Sequence, residues 1–232
     1  KNFEVIITKE KKQKTELQYC EKLYNLPPKK IVNTGYMYLE KLKKERKNNT
    51  NLKRILFAPS WNKLHNNLFN DHSNEIIDRL IDKKFIVTLR THPELIKRSN
   101  KTITFLKKKY KNKENFELNT DISNLETLNS SFILITDNGG MALEYILVQK
   151  KPVIFINYAD KVHNNFYEKI KLDALEDKFK KRFGFTIQID DLKNIDLKIQ
   201  EALVNLEKNK NLINSFAQDN GVILENQTLN AQ

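Results

Sequence analysis

The chain lacks the residues that several chemistries require. It has one cysteine, Cys20, in 232 residues, so it forms no internal disulfide and fits a reducing compartment. We expect that thiol to lie inert on a helix face. Four histidines are scattered along the chain without metal-ligand spacing, and neither a metal nor a cofactor is expected. There is no Gly-x-Ser-x-Gly, no P-loop and no Gly-x-Gly-x-x-Gly. No apolar run approaches the length of a membrane span. The start at Lys1 carries neither a signal-peptide pattern nor an initiator methionine, which leads us to expect a portion of a longer protein. Internal repeats are absent.

What is present is globular. Hydrophobic residues make up 39% and charged residues 30%, enough to bury a core as one large domain or as one domain plus part of another. The formal net charge is +12, from 41 Lys and Arg against 29 Asp and Glu. Such an excess favours polyanionic partners: nucleic acid, anionic lipid or phosphorylated substrates. Much of it sits in residues 41–47 and 107–113, where solvated helix faces are the default explanation. A nucleic-acid-binding module would interleave aromatics with Lys and Arg on a platform. Here the aromatics lie mostly inside apolar strands or helix faces, which argues against nucleic acid as the partner.

Hydrophobic periodicity predicts strands at residues 3–8 and 31–33, with an amphipathic helix over 9–24 and another ending near Lys47. The run of residues 47–51 has no apolar side chain and reads as a hinge or domain boundary. Beyond it, strands are expected at 54–58, 85–90, 115–118, 132–136, 152–156 and 184–189. Helical patterns separate most of them, at 73–82, 94–109, 122–129, 140–149 and 160–172. A last charged helix from Asp190 to about Gln218 is expected to pack across the sheet edge. Near-continuous apolar strands alternating with helices give an α/β fold with a doubly wound, Rossmann-like parallel sheet, covered on both faces.

In such sheets ligands bind at the carboxyl ends of the strands. The segments to inspect are therefore residues 59–62, 90–93, 119–121, 137–140 and 157–158, nearly all polar or small. The fourth says most. Thr136, Asp137, Asn138, Gly139 and Gly140 form a glycine turn between a buried strand and a helix. The glycines leave room for a ligand at the backbone, and free N–H groups of the helix suit a phosphate. Glu144, one turn further in, can accept hydrogen bonds from ribose hydroxyls. The alternative is a helix merely capped by Asp137 or Asn138. Ser60 and Trp61 follow the first strand of the sheet. Arg90 and His92 follow the second, where a guanidinium fork and an imidazole can meet phosphate, and we take them as the catalytic pair. His65 and His72 are expected on the surface of a mobile loop, and His163 near the cleft.

The order of these segments carries a resemblance. Ile55-Leu-Phe-Ala-Pro-Ser-Trp61, Arg90-Thr-His-Pro93, Ile135-Thr-Asp-Asn138 ahead of a helix, and Lys151-Pro-Val-Ile-Phe155 together resemble the C-terminal half of CDP-glycerol glycerophosphotransferases. Those are GT-B-fold enzymes that build teichoic-acid-like polymers. Residues 1–42, with Thr34-Gly35-Tyr36, resemble the segment that closes the family's N-terminal domain.

The resemblance implies two parts: a tail of the acceptor-side domain over 1–47 and a nucleotide-donor domain over 48–232. It also implies a CDP-glycerol or nucleotide-sugar donor, a lipid-linked or polymeric acceptor, and a cytoplasmic protein peripheral to an anionic membrane. Two departures stand out. Asp137-Asn138-Gly139-Gly140 replaces the family's Asp-Tyr-Ser-Ser and, with Glu144, is similar to the Ser-Gly-Gly-x-x-x-Glu loop of UDP-N-acetylglucosamine 2-epimerases. The family's Trp-His-Gly segment, tied to its catalytic base, has no counterpart here. The competing expectation is thus a nucleotide-sugar glycosyltransferase or epimerase of the same fold.

Overall fold

The structure is a computed structural model that describes residues 3–61, 67–121, 125–158 and 173–223. Strands β1 (Val5–Thr8) and β2 (Lys30–Asn33) pair in parallel, linked by α1 (Lys11–Leu23). Gly35, in the left-handed region at φ 70°, turns the chain out of β2, a conformation that favours glycine. It leads into α2 (Tyr38–Lys44), which buries Leu39 and Leu42.

A second sheet contains β3 (Asn51–Phe57), β4 (Ile86–Arg90), β5 (Phe116–Asn119), β6 (Ser131–Thr136), β7 (Val153–Ile156) and β8 (Phe185–Ile187). Its spatial order is β5-β4-β3-β6-β7-β8, and every neighbouring pair is parallel. The chain winds outward from β3 to β5, then returns to the other side of β3 with β6 and continues to β8. The expected doubly wound parallel sheet is present.

Side-chain alternation along these strands feeds two cores. Ile55, Phe57, Val87, Leu89, Ile133 and Ile135 point to one face. There they meet Ile76, Ile77 and Leu80 of α3 (Leu68–Asp82) and Ile103 and Leu106 of α5 (Asn100–Lys109). Leu56, Leu134, Val153 and Phe155 point to the other, against Leu39 and Leu42 and against Leu175, Phe179 and Phe183 of α8 (Leu175–Phe183). The long helix α9 (Ile195–Asp219) joins both. Ile195, Ile199 and Ala202 belong to the first core, and Leu206, Ile213, Phe216 and Ala217 to the second. It therefore wraps the β8 edge, as its charged, helical pattern predicts. Among the described residues no helix is long and apolar enough to cross a membrane.

Several boundaries differ from the sequence expectation. α3 starts at Leu68, not residue 73, because the Asn67 side chain caps it by accepting from the Asn70 N–H at 2.9 Å. His72 is therefore a helical residue, with Nδ1 3.3 Å from Glu75 and its ring edge-on to Tyr158, and not part of a mobile loop. The helix expected over 94–109 is two, α4 (Pro93–Arg98) and α5, broken at the buried Ser99. The break lets Leu95 and the Ile103–Leu106 pair both reach the core.

The segment 140–149 begins as α7 (Gly140–Glu144) but continues as a π-helical turn, Tyr145–Gln149, in which all five residues are buried. An amphipathic α-turn would leave some of them exposed. α8 was not expected at all. The short α6 (Glu126–Ser130) lies in the segment read as 122–129. Residues 122–124, the helix expected over 160–172, and the positions of Asn62, His65 and His163 lie outside the described residues.

Candidate functional site

In a doubly wound sheet the crevice opens where the winding reverses. Here that is between the carboxyl ends of β3 and β6, where the sequence places Ser60–Trp61 and Thr136–Gly140. The two strand ends are pinned together. The Thr136 hydroxyl donates to the Ala58 carbonyl at 2.8 Å. The Asp137 carboxylate accepts the Ser60 N–H at 2.7 Å and the Ser60 hydroxyl at 3.0 Å. Both residues are buried, and burial raises the Asp137 pKa while the bonds from Ser60 oppose that rise. Asp137 therefore does not cap the following helix.

Asn138 does not cap it either, since its amide donates to Asp177 at the start of α8, at 3.0 Å. Lys180 on the same helix donates to the Asp137 carbonyl at 3.2 Å. The helix starts bare, with Gly139 as its N-cap and no side-chain cap bond. Gly139 has extended backbone, with φ 173°, and Gly140 is helical, so neither glycine is needed for a left-handed conformation. Their contribution is space. A Cβ on Gly139 would stand 3.7 Å from the Ser60 Cβ, and one on Gly140 would stand 3.8 Å from the Glu176 carboxylate.

Arg90 ends β4 in the wall of the crevice, 8% exposed, and its Nη1 donates to the Thr127 hydroxyl at 3.3 Å. Burial lowers its pKa, while Tyr38, Glu144 and Asp121 act in the opposite direction. The guanidinium stays charged at neutral pH. His92, exposed, caps α4 by accepting the Glu94 N–H on Nδ1 at 3.2 Å. That bond requires a lone pair on Nδ1, so the neutral ring carries its proton on Nε2 and presents it as a donor. The imidazole lies near-parallel to Trp61, with ring centroids 6.3 Å apart and planes at 18°. The Arg98 guanidinium sits 5.6 Å from the Trp61 ring centroid, within cation–π range. Ser60, Trp61, Arg90, His92 and the glycine turn thus share the end of the sheet.

Glu144 has a partner within the chain. Its carboxylate accepts a short hydrogen bond from the Tyr36 hydroxyl. Burial and that carboxylate raise the Tyr36 pKa. Glu144 also acts on Tyr38, whose pKa is raised mainly by burial. Tyr36 and Tyr38 come from the segment after β2, so this cluster ties the N-terminal residues to the crevice. Sequence reasoning missed the role of Tyr38, Thr127, Glu176 and Asp177. The i, i+4, i+8 spacing of Leu175, Phe179 and Phe183 would have revealed the helix that brings in the last two. Among the described residues no group of three or more His, Cys, Asp or Glu side chains gathers as a metal site.

The sheet and this edge define a doubly wound α/β protein with polar side chains gathered at its switch point. Over residues 10–202 the chain matches the family described as CDP-Glycerol:Poly(glycerophosphate) glycerophosphotransferase, and it belongs to that family. No curated protein matches it. Among solved structures it is similar to the wall teichoic acid polymerase TagF, in an H444N form with CDPG. Identity there is 16% over 94% of this chain and 57% of that one, with a TM-score of 0.45.

It is also similar to the Methanocaldococcus jannaschii UDP-GlcNAc 2-epimerase, in complex with UDP-GlcNAc and UDP. Identity is 15% over 86% of this chain and 54% of that one, with a TM-score of 0.46. A third likeness, 11% identical with a TM-score of 0.47, is to the N-terminal domain of Candida albicans trehalose-6-phosphate phosphatase, covering 94% of this chain and 55% of that one. The chain spans little more than half the length of these structures.

Proposed function

We propose that this chain is the nucleotide-donor half of a transferase that moves a glycerol-phosphate unit from a nucleotide-diphosphate donor to a cell-envelope polymer. Family membership over residues 10–202 carries the reading. The coincidence of the glycine turn with the switch point supports it, as does the uncapped helix start behind Gly139. On this reading the diphosphate lies over Gly139 and Gly140, with Ser60 and Trp61 on one side and Arg90 and His92 on the other. Thr136, Asp137 and Asn138 hold the turn, and Glu144, positioned by Tyr36, faces the ribose.

In the reaction the acceptor hydroxyl oxygen forms a new bond to the phosphorus that carries glycerol. The bond from that phosphorus to the bridging oxygen breaks, and the nucleotide monophosphate leaves with the electron pair. Arg90 and the Nε2–H of His92 stabilise the charge that collects on the leaving group, a contribution that grows towards the transition state. The proton of the acceptor goes to a base outside this chain.

We assign residues 1–47 to the tail of an acceptor-side domain and 48–232 to the donor domain. In support, Val5, Ile7 and Val32 share one face of the two-stranded sheet and stay 47%, 68% and 37% exposed. A two-stranded sheet is marginal by itself. The basic surface suits the cytoplasmic face of an anionic membrane. A nucleotide-sugar donor is the second reading, favoured by Asn138-Gly139-Gly140 followed by Glu144.

Thermal-shift measurements with CDP-glycerol, CMP, UDP and UDP-N-acetylglucosamine separate the two. A ligand at about a hundred times its Kd stabilises by about 2.7 kcal/mol, or roughly 5–11 °C for a chain of this size. A shift with CDP-glycerol and CMP alone supports the first reading, and one with the uridine ligands alone supports the second. No shift with any of the four sinks both.

A further inference from the structure

Glu10 is the buried ionisable group that the proposed reaction leaves without work. It follows β1, at the N-cap position of α1, yet its side chain makes no cap bond. The residue is 5% exposed, and its Oε2 has no hydrogen-bond partner among the described residues. A buried, unmatched carboxylate oxygen costs free energy in the absence of a donor.

Glu10 lines a recess with Lys9, Tyr36, Gly140 and Glu176. The recess lies where the carboxyl ends of the two sheets face one another. Lys9 and Glu10 come from the end of β1, Tyr36 from the turn after β2, and Gly140 from the turn after β6. It is therefore continuous with the glycine turn, and the Glu176 carboxylate stands 3.8 Å from where a Gly140 Cβ would be.

The chemistry of the lining selects the occupant. Two carboxylates disfavour a phosphate in the recess itself. One lysine, whose Nζ is 3.8 Å from Glu176 and 5.1 Å from the Tyr36 ring centroid, disfavours an amine. Leu143, Leu175 and Val222 complete the walls and suit C–H groups. The recess is small, about 10 Å³, room for a single hydroxyl, so it admits one end of a neutral polyol, whose hydroxyl donates to a carboxylate and accepts from the lysine.

We propose that this recess is a polyol subsite in which Glu10 Oε2 accepts a hydrogen bond from a hydroxyl of the transferred unit or of the acceptor's terminal unit. The proposal rests on the donor-half reading, because it places the polyol next to a diphosphate over Gly140. Burial and Glu176 raise the Glu10 pKa while Lys9 and Lys12 lower it, consistent with a site lacking a donor for that oxygen.

The test is calorimetry on the full chain, comparing CDP-glycerol with CDP, and glycerol 3-phosphate in the presence of CDP, for the parent, Glu10→Leu and Glu10→Gln. Melting temperatures check folding, and Glu176→Gln serves if Glu10→Leu does not fold. A hydrogen bond to a charged group corresponds to about ten- to a hundred-fold in affinity. If the subsite takes the donor's glycerol, Glu10→Leu loses that factor for CDP-glycerol and leaves CDP unchanged, with Glu10→Gln between. If it takes the acceptor, the loss falls on glycerol 3-phosphate instead.

Parent and variants with equal affinities for all three ligands would overturn the subsite while leaving the nucleotide site standing. If the parent binds no nucleotide, the donor reading has failed. Chemical-shift perturbation by glycerol 3-phosphate alone then decides the subsite: shifts that vanish in Glu10→Leu keep it, and no shifts in the parent overturn it.

Discussion

Removing the Ser60 hydroxyl isolates the bond that closes the crevice floor. In Ser60→Ala the backbone N–H still donates to Asp137 at 2.7 Å, but the 3.0 Å bond from the hydroxyl is gone. One oxygen of a buried carboxylate is then left without that donor, which costs about 1.5–3 kcal/mol. For a chain of this length each kcal/mol moves the melting point by about 2–4 °C, so Ser60→Ala should melt roughly 3–12 °C below the parent. Asp137→Ala strands both Ser60 donors and should lose at least as much.

Asp137→Asn behaves differently. It keeps an oxygen for the Ser60 N–H and offers an amide hydrogen to the hydroxyl, which reverses its role. It also removes a charge from a place where burial raises the carboxyl pKa. A raised pKa means that the folded state holds the proton more tightly, so stability falls as pH rises through the raised value. Asp137→Asn removes that dependence and should lie within about 1 kcal/mol of the parent at neutral pH. In an Asp137→Ala background, Ser60→Ala should cost little, since the bond it removes is already absent. Urea and thermal unfolding followed by circular dichroism measure all four. A Ser60→Ala protein that melts with the parent, or an Asn variant as damaged as the Ala one, would refute the staple.

The Gly140→Val chain should fold, because a Cβ there meets only the Glu176 carboxylate at 3.8 Å. It should lose nucleotide binding in calorimetry, and retained affinity would move the ligand elsewhere. His92→Ala should destabilise α4 by about 1 kcal/mol through the lost cap, whereas His92→Asn should keep the cap. Steady-state kinetics of the whole enzyme should nevertheless show reduced turnover for both.

Lys151 donates to the carbonyls of Asn129 and Ser131 at 2.6 and 2.7 Å, and burial brings its pKa down from 10.5 to about 8. The folded state therefore binds fewer protons than the unfolded chain between those values, and stability rises with pH across that window. Urea unfolding from pH 7 to 10.5 should show the parent gaining on Lys151→Met, and parallel profiles would contradict the assignment.

The central sheet was legible because its inner strands are buried on both faces, so Ile55–Phe57 and Ile133–Ile135 read as apolar runs, and Val87–Leu89 as one interrupted only by Thr88, whatever their partners. The site segments were legible for a related reason: a parallel sheet gathers the residues after its strands at one edge. Pairings across that edge were not. Ser60 and Asp137 are 77 positions apart, and Tyr36 and Glu144 are 108 apart, distances over which no local pattern operates.

The alternative of a helix cap from Asp137 failed because a tertiary bond outcompeted the local one. The 140–149 helix was legible in extent but not in winding, since Tyr145–Gln149 is buried all round and carries no helical stripe. Glu10 gave no signal in the sequence. It reads as one more charge at the start of a lysine-rich helix, and only burial distinguishes it.

A crystal structure of the chain soaked with CDP-glycerol tests the donor site most directly. The proposed site puts the diphosphate over Gly139 and Gly140, within hydrogen-bond reach of the Gly140 N–H and of Arg90 or His92, with the ribose towards Glu144. Nucleotide bound away from the ends of β3, β4 and β6 would contradict it.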